Sequence, residues 1–574
     1  MDAERTKTKP DLASSVSRRR TAALAAGVAA ATLFLLLATE SQIGLTWDEP
    51  DYIVAAESYA AWLGALARDP GRALSRESID AHWSANRNHP PLSKAWSGVV
   101  WALSGGLRRR GLLSDLATRR LGNILLNSIG VGLLFLLVED VYGPWTGLAA
   151  SAALLAMPRV FFHLHLTALE GPAAALSVAT VLLFWKTRQR GAWWIDVVLG
   201  IVWGLAVSAK ANAVLVYPAL MIWALIAGRA RAQCPVLARR RVLVRLAIMG
   251  AVAVGVFFFC WPWLYHDTLA RVKHYVVWTT VGHWQFGQWY LGRFTMPPPW
   301  YFPFVMAAVA VPPGILACFL LGSGRALARR EERALGGLLL LNALVPMLAL
   351  ATGLCMVYDN DRLFVPAMPF VAALAAIGLH TLAEGIRAVI AAAPRVRCGA
   401  HALAVAALAG LVFVPPLVAA AQLYPHLLSY YCGLVGGVGG ATRLGFETTY
   451  WCETYNATLG YLNEHARAGD VVWVDPWSHN VMIYYQRVGR LRDDLRLAGW
   501  GEIPSLFDPQ IVTVNAGYDE ADWVVFQHRQ TAFGEQGRAH PLVRWMQERS
   551  PEFELRFDGV PLVSVYSPGA SGHP

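Results

Sequence analysis

"RRRTAALAAGVAAATLFLLLATE" (residues 18–40) decides the fold class. Three arginines precede an unbroken apolar run over Thr21–Thr39. A helix that crosses a bilayer needs about 20 mostly apolar residues, and a basic flank marks its cytoplasmic end. The run is long for the core of a signal peptide, and no small-x-small cleavage site follows, so it reads as a retained anchor. The composition agrees. Of 574 residues 55% are hydrophobic and only 15% charged, where a soluble domain carries about a quarter charged residues.

Ten further apolar runs follow, over 117–138, 145–161, 169–185, 195–209, 212–228, 244–262, 301–321, 334–353, 364–381 and 401–422. The expectation is a polytopic α-helical membrane protein of about eleven spans. Basic residues alternate as the positive-inside rule requires. Cytoplasmic loops hold Lys186, Arg188 and Arg190; then Arg229, Arg231, Arg239, Arg240, Arg241 and Arg245; then Arg325, Arg329, Arg330 and Arg333; then Arg387, Arg395 and Arg397. Only Arg159, Lys210, Arg362 and a few others fall in the short outer loops, and the loop at Glu139–Pro144 has none. The net charge of +10 is thereby a topology signal and not a nucleic-acid footprint.

This order divides the chain into a cytoplasmic tail (1–20), a membrane domain (21–422) with long outer loops at 40–116 and 263–300, and an outer tail (423–574). The predicted location is the plasma membrane (the inner membrane of a two-membrane cell), with the N-terminus cytoplasmic and the C-terminus outside. Within the tail, "DVVWVD" (470–475), "DWVVFQ" (522–527) and "LVSVYS" (562–567) read as short buried strands, and "HPLVRWMQER" (540–549) as a helix, giving a small extracytoplasmic α/β domain. The stretch Tyr52–Leu66 reads as an amphipathic helix suited to a membrane surface. Seven cysteines show no paired or His-spaced metal pattern.

The unusual polar residues gather on the outer face. "GLTWDEPDYI" (44–53) puts Asp48 and Glu49 just after the anchor; Glu170 stands in "HLHLTALEGP" (163–172), Lys210 in "SAKANA" (208–213), and Arg362 in "YDNDR" (358–362). A single acid at a membrane surface is usually a solvated loop residue, and Glu170 also suits the positive end of a helix dipole. Lys210 fits a snorkelling role, and His89 a turn ahead of Pro90-Pro91. Several ionisable groups converging on one face point instead to a site. A positioned carboxylate is suited to taking a proton, and Arg and Lys to holding phosphate. No nucleotide-binding glycine loop, GxSxG elbow or HExxH is present. His163 and His165 read as interface residues.

Five stretches carry a family resemblance: "TWDEPDYI" (46–53), "NHPPLSK" (88–94), "HLHLTALEGP" (163–172), "WYLGRFTMPPPWYF" (289–302) and "VYDNDRLFVPAMPF" (357–370). With the order of the spans, they resemble the GT-C superfamily of polyprenyl-phosphate-sugar-dependent glycosyltransferases, specifically family 39, the protein mannosyltransferase and aminoarabinose transferase group, over about residues 20–425. The segment 424–455 resembles one that follows the last span in some bacterial relatives.

The resemblance implies a GT-C-like membrane enzyme that moves a sugar from a polyprenyl-phosphate donor to an extracytoplasmic protein, lipid or glycan. Its partners are that donor, the acceptor and membrane lipids, without nucleic acid. It implies an inverting transfer with no cofactor and no metal ligands, a divalent metal being left open. Asp48 matches the family's catalytic base or acceptor-orienting acid, and Glu49 matches its neighbour. Glu170 stands where Asp is usual. Arg362 matches a basic residue near the donor phosphate, Lys210 a lysine near the outer surface, and His89 a position that is lysine in aminoarabinose transferases. Cys432 and Cys452 replace Asn and Gly of the relatives, which implies a disulfide; the alternative is two thiols that never meet. The rival functions are a transporter or flippase of lipid-linked sugars, and an inactive lipid-binding relative.

Overall fold

A computed structural model describes residues 12–227, 239–282, 287–353, 356–392 and 399–567. Arg229, Arg231, Arg395 and Arg397 of the topology pattern lie outside the described residues. Apolar helices form wherever a span is expected, but not always as one piece. The run 145–161 is broken: its helix Pro144–Leu155 ends, Met157 is extended, and a short helix Pro158–His163 follows. A residue before proline is pushed out of the helical region, which accounts for the break. The run 301–321 divides into Phe302–Ala310 and Pro313–Ala328. Pro312 and Pro313 lack the N–H groups that would have bridged the two halves. Among the described residues six helices have the length and composition to cross a membrane: Arg18–Gln42, Asp115–Tyr142, Arg241–Phe259, Arg333–Ala351, Arg362–Ala391 and Ala400–Leu423.

The helix expected at Tyr52–Leu66 forms as Glu49–Arg68. Its apolar stripe does not face lipid. Tyr59 stacks on Trp83 with ring centroids 4.2 Å apart, and Trp62 meets the same ring edge-on at 5.1 Å. Trp261 at the end of the run 244–262, with Trp263 and Leu264 just after it, closes the cluster. The aromatic face is spent on holding the two outer loops together, which corrects the surface-helix expectation.

In the outer loop 263–300, β1 (Gln288–Tyr290) and β2 (Arg293–Thr295) pair as an antiparallel ribbon. The C-terminal segment holds β3 (Val471–Asp475), β4 (Arg496–Gly499), β5 (Val514–Asn515), β6 (Trp523–Gln527), β7 (Phe553–Phe557) and β8 (Val560–Tyr566). They form a six-stranded sheet in the order β5-β4-β3-β6-β8-β7. Pairs β5-β4, β4-β3 and β3-β6 are parallel, and β6-β8 and β8-β7 antiparallel. Parallel neighbours need crossovers, and the helix His479–Arg487 supplies the one between β3 and β4.

This sheet rests directly on the first loop. Leu45, Ile53 and Leu116 share one hydrophobic cluster with Val472, Val474, Tyr485 and Val525. The Tyr485 hydroxyl accepts from Leu45 N at 2.7 Å, and Trp451 O accepts from Trp47 N at 2.9 Å. At the contact Gly44 leaves no room: a Cβ there would lie 2.0 Å from the carbonyl oxygen of Glu453. Gly44→Ala is therefore expected to lower stability by about 1–3 kcal/mol, the usual cost of overpacking. The check is the unfolding midpoint of the detergent-solubilised protein, and an unchanged midpoint contradicts this docking.

Candidate functional site

Asp48 is the residue just before the helix Glu49–Arg68, and Pro50 opens its first turn. Proline at the start of a helix forfeits only an N–H that has no partner there. The turn sends the neighbouring acids in opposite directions. Glu49 points inward and is wholly buried. Its Oε1 accepts from Arg120 Nε at 2.9 Å and Thr167 N at 2.9 Å; its Oε2 accepts from Arg120 Nη2 at 2.6 Å and Thr46 N at 3.0 Å. Arg120 also donates to Glu40 at 3.2 Å and to the carbonyls of Ile43 and Gly44. Glu49 does not border the cavity described below, so its expected catalytic place is corrected: its oxygens are spent tying the first loop to the helix Asp115–Tyr142.

Asp48 points the other way, toward Arg362. That guanidinium donates from Nη2 to Asp48 Oδ2 at 2.6 Å, from Nε to Glu170 Oε1 at 2.6 Å and from Nη1 to Asp359 Oδ2 at 2.8 Å. Its plane lies over the Trp451 ring, 3.9 Å from the centroid. Lys210 pairs with Glu170 from behind. Arg529, just past β6, donates to Asp359 Oδ1 at 2.7 Å and stands 3.6 Å from Glu447. Ions removed from water cost several kcal/mol each unless paired. Here each charge has an opposite neighbour. Burial opposes ionisation of Asp359, but the Arg529 and Arg362 guanidiniums overcome it and hold its carboxyl below the usual range.

In front of this network opens a cavity of about 520 Å³. Asp48, His89 and Arg362 line it, as do Asp51, Trp451 and Arg529. Glu170 and Lys210 do not; they stand behind Arg362 and fix its position. His89 faces the Tyr52 ring at 6.3 Å and the Trp278 ring at 5.4 Å, both edge-on. Its loop is held by Lys94, whose Nζ donates to Asn86 O at 2.9 Å, Asn86 Oδ1 at 2.8 Å and His89 O at 3.0 Å. Burial pushes the Lys94 ammonium well below its usual range.

The expected bridge between Cys432 and Cys452 does not form; both are buried free thiols. Cys432 Sγ meets Ala308 O at 3.5 Å, and Cys452 lies in the cluster that packs the sheet onto the first loop. Asp51, Trp451 and Arg529 are among the lining residues not anticipated from the sequence. For Arg529 one signal was present: "FQHRQ" (526–530) puts a cation just past the C-terminal end of a parallel strand, where open α/β sheets carry their sites.

Residues 90–266, under a third of the chain, match the family described as dolichyl-phosphate-mannose-protein mannosyltransferase. The matched segment holds Glu170 and Lys210 and begins beside His89. No curated protein matches the chain. Among solved structures, ArnT from Cupriavidus metallidurans in the apo state is similar at 14% identity and TM-score 0.48, over 97% of this chain and 100% of that one. The same protein bound to undecaprenyl phosphate gives 13% and 0.48, over 96% and 99%. The archaeal oligosaccharyltransferase AglB from Archaeoglobus fulgidus, in complex with an inhibitory peptide and a dolichol-phosphate, gives 11% and 0.47, over 90% and 70%.

The Arg120 knot makes a prediction separate from chemistry. Arg120→Met strips Glu49 and Glu40 of their counter-ion, and breaking such a buried pair costs about 3–5 kcal/mol. A lowered unfolding midpoint is the expected readout; an unaltered one contradicts the anchoring role.

Proposed function

We propose that this protein is a membrane glycosyltransferase that moves a sugar from a polyprenyl-phosphate donor to a protein, lipid or glycan acceptor. The site faces outward from the plasma membrane, with about eleven crossings and the N-terminus cytoplasmic. The observation that carries this reading is the pairing of Asp48 with Arg362 on the wall of one cavity, 2.6 Å apart. The match of residues 90–266 to a family named for a lipid-phosphate sugar donor supports it.

The chemistry is a displacement at the sugar's C1. The acceptor heteroatom bonds to C1, the C1–O bond to phosphate breaks, and its electron pair leaves on the polyprenyl phosphate. Arg362 holds that phosphate, with His89 on the same cavity and Lys210 supporting through Glu170. A guanidinium suits the task because its fork matches phosphate oxygens. All three of its nitrogens already reach carboxylates, so a phosphate competes with Asp48 for Nη2. Donor binding thus loosens Asp48 toward the acceptor, as base or orienting group. The donor's isoprenoid tail lies between spans. This reading assigns the transfer no metal; of the cavity acids, Asp48 and Asp359 meet guanidinium groups.

Asp48→Asn keeps the shape and removes the charge. Transfer of labelled sugar from a polyprenyl-phosphate donor is expected to fall by about a hundredfold, the range for losing one positioned polar group beside the reacting atoms. A folded variant that transfers at the wild-type rate overturns the assignment.

A further inference from the structure

Asp48 has a second acid beside it in the cavity. Asp51 lies three residues on, in the first turn of the helix Glu49–Arg68, so both carboxylates border the same space. Their surroundings differ. Asp48 Oδ2 accepts from Arg362 at 2.6 Å and from the Tyr52 hydroxyl at 3.3 Å. Asp51 has no side-chain hydrogen bond to another residue and no ion pair among the described residues; its carboxylate meets its own backbone N–H, and it lies on the cavity wall.

The charges around Asp51 explain why it stands apart. Asp48, just before its helix, repels it. From the neighbouring helix Leu92–Leu103, Lys94 attracts it, but the Lys94 ammonium is committed to Asn86 and to the His89 carbonyl. Across the cavity stand His89, Asp359, Arg362 and Arg529, and both guanidiniums are occupied by other carboxylates. Burial, reinforced by the Asp48 charge, pushes the Asp51 carboxyl up to about 6. A general base works best with a pKa near the working pH, and two acids with divergent surroundings commonly divide their roles.

We infer that the two acids divide the work: Asp48, bound to Arg362, orients the acceptor nucleophile, and Asp51 takes its proton as the new bond to C1 forms. This rests on the glycosyl-transfer reading above. The step balances: the proton passes from the acceptor heteroatom to an Asp51 carboxylate oxygen while the C1–O electron pair leaves on the donor phosphate.

The test uses the full-length protein in proteoliposomes, with a polyprenyl-phosphate sugar as donor and rates measured from pH 5 to 8. The wild-type rate is expected to fall on the acid side, about tenfold per pH unit once the base is protonated. Asp51→Asn is expected to lose about a hundredfold or more in kcat and to lose that acid limb, with the donor KM within about twofold. Asp51→Glu should restore part of the rate with a shifted limb. Asp48→Asn should slow transfer yet keep the limb. Asp51→Asn turning over within about threefold of wild type, with the limb intact, overturns the inference.

A second measurement needs no activity. Hydrophobic carbodiimides modify protonated carboxyls, so Asp51 in the wild type should be labelled below pH 6 and spared above it, as read by peptide mass spectrometry. Absence of that dependence overturns the assignment whatever the rates. Labelling as expected, with no transfer from any polyprenyl-phosphate sugar, overturns the glycosyl-transfer reading instead, so the two failures are distinct.

Discussion

The Arg362 guanidinium spends its three nitrogens on carboxylates from three separate parts of the chain: Asp48 after the anchor helix, Glu170 at the head of a central helix, and Asp359 in its own loop. Unpaired, any of these ions would resist burial. Together they converge, and the convergence sets the positions of the first loop, the helix Glu170–Thr187 and the loop ahead of the helix Met368–Ala391. The cavity is the space left in front of that junction. A charge network of this kind is weak evidence of stability in itself, because apolar packing does as well. Its value is geometric: it keeps a carboxylate and a guanidinium in contact on a wall that a ligand can reach.

The C-terminal segment takes part in that junction and does not hang from it. Arg529 reaches Asp359, and the Trp451 ring lies under Arg362, so two elements beyond residue 423 finish the wall. The same segment packs Val472, Val474 and Val525 of the sheet against Leu45 and Ile53. Movement of the sheet would therefore disturb the cavity as well as its roof.

The order of apolar segments was legible in the sequence, because hydropathy reports it directly. Asp48, His89 and Arg362 could be named from their motifs, and the fold brings them to one cavity. Glu49 could not be told from Asp48. Its partner Arg120 lies 71 positions away, and no local pattern says that the two will meet. Arg529 was hidden for the same reason, 170 positions from Asp359. The thiol pair was misjudged because Cys at two outer positions suggests a bridge, whereas packing keeps Cys432 and Cys452 apart as buried thiols. Helix breaks at Pro158 and Pro312 were visible as residues, but the hydropathy of the surrounding runs outweighed them.

The central question is whether the Arg362 cavity passes a sugar from lipid phosphate to an acceptor. The direct measurement gives the purified protein a radiolabelled polyprenyl-phosphate sugar together with envelope membranes from cells lacking it, and follows the label. Label leaving the polyprenyl fraction for protein, lipid or glycan with the wild type, but not with Arg362→Gln, is the predicted result. Label that stays on the polyprenyl phosphate across the available donors, or leaves it equally well with Arg362→Gln, contradicts the account.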